Sequence, residues 1–129
     1  MNLLIVALNG VVPAELPDAE VLVVAPALNS RLRHWLSDDD GAHRRAEERV
    51  TAFVARLEQQ GVHAAGRVGD ADPLLAIADA LPTFPADEIV IAAEPERADE
   101  LLVRAHDHFA LPVFRAEEVL PACGVARAP

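Results

Sequence analysis

Leu3-Leu4-Ile5-Val6-Ala7-Leu8, followed at once by Asn9-Gly10, is the stretch that decides the fold. An apolar run with no polar interruption leaves neither side of a strand suited to water. It therefore reads as a strand buried on both faces and stopped by turn residues. Strands of that kind belong to parallel sheets covered by helices on each side. Val21-Leu22-Val23-Val24-Ala25 repeats the pattern before Pro26. About a dozen residues separate the two runs, just enough for a parallel crossover. With Pro13 and Pro17 inside it, that first crossover has room for one helical turn at most.

Beyond Pro26 the period of the apolar residues changes. From residue 38 to 60, Ala46, Val50, Phe53, Val54 and Leu57 recur at three- and four-residue spacings. Arg44, Arg45, Glu47, Glu48, Arg56 and Glu58 fall on the other faces, so the segment is an amphipathic helix, ended by Gly61. Ser37 reads as its N-cap, with Asp38, Asp39 and Asp40 at the positive end of the helix dipole. Residues 62–68 form a mixed strand, nearer an edge because His63 and Arg67 interrupt it. Asp72-Pro73 starts a second helix, with Asp72 as N-cap and Pro73 at the first helical position, and Pro82 bounds it. Residues 88–93 are the next buried strand, a helix follows to about His108, and residues 111–114 close the series as a last strand. Five strands alternating with helices imply an α/β domain, a doubly wound, Rossmann-like parallel sheet. It occupies residues 1–116, and residues 117–129, with Pro121, Cys123 and Gly124, read as a C-terminal tail.

Composition narrows the functional classes. At 129 residues the chain is one domain, able to bury roughly two thirds of its unfolded surface. Its 11 basic residues are all Arg, against 21 acidic residues, for a net charge of −10. That balance repels phosphate backbones and anionic lipid, and argues against nucleic acid or membrane as partner. The absence of Lys also removes a P-loop lysine and Schiff-base chemistry. One cysteine, Cys123, forms neither an internal disulfide nor a four-thiolate zinc site, and a cytoplasmic location is expected. The first apolar run is too short for a membrane span and lacks the basic flank of a secretion signal.

Several local strings, in their order and spacing, resemble the universal stress protein family over residues 1 to about 116. Leu4-Ile5-Val6-Ala7-Leu8-Asn9-Gly10 is similar to the family's opening strand and its Asp-Gly-Ser turn. Gly61-Val62, then Val68-Gly69-Asp70 followed by Asp72-Pro73 and Ala76-Ile77, is similar to its third strand, Gly-Asp-Pro turn and following helix. Ala86-Asp87-Glu88-Ile89-Val90-Ile91 and Leu111-Pro112-Val113 are similar to its last two strands. The resemblance implies a sheet in the order 3-2-1-4-5, often a homodimer, and in one branch an ATP site at the carboxyl ends of the central strands. That site depends on a Gly-rich stretch after strand four, whose backbone N–H groups approach phosphate. Here residues 94–100, Glu-Pro-Glu-Arg-Ala-Asp-Glu, contain no Gly, and Asn9 stands where the family has Asp. The chain is therefore expected to lack the family's ATP binding and to need no cofactor.

A smaller ligand at the strand ends stays open, because open parallel sheets place crevices there. Asn9, Gly10, Gly69 and Asp70 would border it, with turn formation as the plainer role for each. Other chemistry is poorly supplied. His106 and His108 lie two apart on a helix and point to different sides, so they do not share a metal ion. His34 and His43 flank the acidic run 38–40, where helix-start acids are the commoner reading. Ser30 and Ser37 are the only serines, and neither lies in a nucleophile elbow. Because the first crossover is short, one sheet face needs further cover, and the segment 26–37 with Leu28, Leu32, Trp35 and Leu36 is expected to fold back over it, with a dimer contact as the alternative. The resulting expectation is a non-enzymatic binding or regulatory module, homodimeric through the exposed edge of the last strand. The alternative is a small-molecule or nucleotide-binding protein, or a hydrolase, using the crevice at the ends of strands 1 and 3.

Overall fold

A computed structural model of the chain describes residues 1–9, 12–13, 16, 19–27 and 39–116. The described elements are β1 (Asn2–Ala7), β2 (Glu20–Pro26), α1 (Asp39–Gln59), β3 (Ala64–Gly69), α2 (Pro73–Ala80), β4 (Glu88–Ala92), α3 (Pro95–His108) and β5 (Val113–Arg115). The strands form one five-stranded sheet in the order β3-β2-β1-β4-β5. Every neighbouring pair is parallel. The chain thus moves outward from β1 to β3, returns across the sheet to β4 and ends at β5, the topology of a doubly wound Rossmann-like fold.

The uninterrupted apolar runs follow from burial on both faces. Side chains alternate along a strand, so Leu3, Ile5 and Ala7 join Val21, Val23 and Ala25 in a core with Ala46, Val50, Phe53 and Leu57 of α1. Leu4, Val6, Leu22 and Val24 point the other way, onto Ala76, Ile77 and Ala80 of α2. Ile91 and Ala93 continue that second face under Ala98, Leu101 and Ala105 of α3. Leu3 through Ala7 are all fully buried. Burying a Leu, Ile or Val side chain stabilises by about 1.5–3 kcal/mol, so this one strand anchors both layers.

The local signals act where the sequence places them. Gly61, at φ +82°, ends α1 in a left-handed turn, with Val62 N–H donating to Leu57 O and Gly61 N–H to Glu58 O, each at 3.0 Å. That pairing satisfies carbonyls a helix end otherwise leaves open. Asp72 caps α2, its carboxylate accepting from Leu74 N–H at 3.0 Å, with Pro73 next to it. The β3 strand begins at Ala64 rather than at residue 62, because Val62 N–H is taken by the α1 turn. It forms one edge of the sheet and β5 the other. Among the described residues no helix joins β1 to β2. Val12, Leu16 and Ala19 from that short crossover pack onto the α1-side core, as does Ala27. Residues 28–38, with Ser30, His34, Trp35, Ser37 and Asp38, and the tail from 117 lie outside the described residues, and so does the expected cover by the Trp35 segment.

Candidate functional site

Parallel topology brings the carboxyl ends of all five strands to one end of the domain, and ligands of open α/β sheets bind there, where the strand order reverses. Here the reversal lies between β1 and β4. Asn9 stands at that point, its backbone N–H donating to Ala92 O at 3.2 Å just after Leu8 N–H does so at 2.8 Å. Gly69 and Asp70 sit two strands away, beyond β2, where Ala27 N–H donates to Gly69 O at 3.1 Å. With strands spaced about 4.8 Å apart, the strand ends that carry Asn9 and Asp70 are separated by the width of β2 rather than meeting at one point. Gly10 lies outside the described residues.

Each of the β3-end residues has a visible structural task. A Cβ at Gly69 would stand 2.7 Å from Val24 Cγ1 and 2.8 Å from Ala76 Cβ, so glycine is what lets α2 lie against the sheet. Asp70 accepts the backbone N–H of Asp72 at 2.9 Å, forming the turn that leads into α2. The sequence offers this Gly-Asp pair as the border of a ligand crevice or, more plainly, as a turn; the structure shows the turn and adds the packing role of Gly69.

After β4 the chain turns straight into α3. Glu94 occupies the N-cap with extended backbone (φ −61°, ψ 150°), its side chain makes no capping hydrogen bond, Pro95 follows, and Glu96 lies in the first turn. Pro95 has no N–H to offer. The exposed carboxylates of Glu94 and Glu96 add negative charge at the helix end that would otherwise attract an anion.

Among the described residues, a cation reaches the strand ends from α1. Arg49, half-buried, donates from Nη1 to Pro26 O at 3.1 Å and, over a long 3.5 Å, to Ala7 O, the carbonyls at the ends of β2 and β1. Burial and the nearby Arg45 charge push its guanidinium below its ordinary pKa. On the helix, Arg49 falls three residues after Ala46 and four before Phe53, both fully buried, so it borders the core-facing stripe. That border position was the signal available in the sequence. Which carbonyls it reaches depends on where two strands end, and no spacing in the chain encodes that.

The histidines fall elsewhere. His106 and His108 lie in the last turn of α3, suited to the negative end of its dipole, and the His108 ring meets Phe109 edge-on at 4.9 Å. His43 pairs with Glu47 at 3.3 Å on the exposed flank of α1, beside an open groove against β3 that Thr51 and Arg67 also line. Among the described residues, no three His, Cys, Asp or Glu side chains converge as metal ligands. No described helix is long and apolar enough to cross a membrane. Comparison with known proteins found no matching family model and no matching curated protein.

Proposed function

We propose that this chain is a non-enzymatic binding or regulatory module on a universal-stress-protein-like scaffold, and that it does not take up ATP. The observation that carries this reading is the start of α3. Glu94, Pro95 and Glu96 stand where the family resemblance implies a Gly-rich stretch of backbone donors. The strand order 3-2-1-4-5 supports the scaffold half of the proposal. The separation of Asn9 from Asp70 across β2 favours binding over catalysis, because chemistry on one bond needs its groups within hydrogen-bonding reach of it.

Calorimetric titration of the purified chain with ATP tests the proposal. No saturable heat is expected, and binding of one nucleotide per chain at micromolar affinity would overturn it. We further place the protein in the cytoplasm and assign it a homodimeric state through β5. The dimer rests on β5 being the end of the sheet, hydrogen-bonded to β4 on one side only among the described residues. Light scattering at tens of micromolar protein is expected to report two chains per particle; a monomer there would refute this assignment.

A further inference from the structure

We propose that Arg49, at the carboxyl ends of β1 and β2, is the recognition group of a site for a small oxyanion, a carboxylate or a phosphate-type group of one or two charges. The inference rests on the reading of the chain as a binding module without ATP, and names its ligand chemistry.

A guanidinium carries five N–H donors in a planar fork that matches an oxyanion bidentately. Among the described residues Arg49 uses only Nη1, on two backbone carbonyls, and no carboxylate among them pairs with it. The contrast with other arginines is direct: Arg115 holds Asp99 at 2.9 Å and Arg104 approaches Glu100 at 3.9 Å, both on the surface. Arg49 is instead drawn partly out of water, and Arg45, one helical turn away, adds a second positive charge nearby. A half-buried cation is costly to maintain until an anion meets it.

Position argues the same way. Both carbonyls held by Arg49 belong to β1 and its neighbour β2, beside the reversal of strand order where α/β sheets bind ligands. The opposite side of β1 leads to β4 and the acidic start of α3, which disfavours an anion extended that way. One small anion group therefore suits the arginine end of the crevice, and a triphosphate does not.

The test is thermal unfolding of the full chain in sodium phosphate, sodium acetate and sodium chloride at matched ionic strength. Phosphate or acetate is expected to raise Tm saturably, on the order of 10 °C at a hundredfold excess over Kd, while chloride does not. Whichever of the two acts identifies the anion class. Arg49→Gln is expected to abolish the rise. Arg49→Lys keeps the charge but not the fork, and is expected to move the midpoint concentration about tenfold upward. If Arg49→Gln does not fold, Arg49→Lys decides alone. Equal responses to all three salts, or a wild-type midpoint in Arg49→Lys, would overturn the proposal. An ATP arm separates the two claims: silence toward ATP and toward small anions sinks only the oxyanion site, whereas saturable ATP binding sinks the module reading itself.

Discussion

Gly69 shows how a single missing side chain sets the spacing of two layers. The atoms a Cβ would meet there are Val24 Cγ1 at 2.7 Å and Ala76 Cβ at 2.8 Å, and the second is fixed directly to the backbone of α2. Gly69→Ala must therefore shift the helix or the strand, at a cost of about 1–3 kcal/mol. At Gly66 the intruding contacts are Val50 Cγ2 at 2.8 Å and Val54 Cγ2 at 3.1 Å, which can yield by side-chain adjustment. Urea unfolding of both variants should find Gly69→Ala the more destabilised, and a Gly69→Ala protein as stable as the parent would contradict the packing role. Their place after a strand made Gly69 and Asp70 candidate ligand-site residues, with turn formation the plainer role. Clearance under α2 appears only when helix and sheet are set side by side, which no local string records.

The helices differ in how fully their ends are stabilised, and the difference is testable. In α2, Asp72 supplies the capping carboxylate and Asp70 the turn before Pro73, while in α3 the N-cap Glu94 makes no side-chain cap. A shorter oxygen-bearing side chain at that position reaches the N2 or N3 N–H. Glu94→Ser is thus expected to stabilise the protein by about 0.5–1 kcal/mol, seen as a higher urea midpoint at unchanged slope; a lower midpoint would show that Glu94 contributes something its hydrogen bonds do not reveal. At this scale the sequence was highly legible. Buried strands announce themselves by uninterrupted apolar runs, and Gly61 and the Asp72-Pro73 pair mark helix boundaries through backbone chemistry that is local to them. Arg49 was not legible in the same way. Its place at the border of the apolar stripe is a sequence property, but its hydrogen bonds to Ala7 and Pro26 carbonyls join residues 42 and 23 positions apart.

Over the whole molecule, the charge distribution sets what the domain can bind. A net charge of −10 keeps the surface unattractive to polyanions, yet one arginine is held half-buried at the strand ends with no carboxylate partner among the described residues. Long-range repulsion falls off within a Debye length of about 8–10 Å in physiological salt, so a small anion that reaches Arg49 experiences mainly the local positive charge. A triphosphate placed as in the family the chain resembles would also lie near Glu94 and Glu96, where Pro95 offers no backbone donor. The central claim is therefore a doubly wound scaffold that binds without a nucleotide-phosphate site. Native mass spectrometry of the full chain with added ATP tests it most directly, because subunit count and bound mass are read together. A two-chain particle carrying no ATP is the predicted result; particles carrying one ATP per chain, at ATP concentrations near that of the protein, would contradict it.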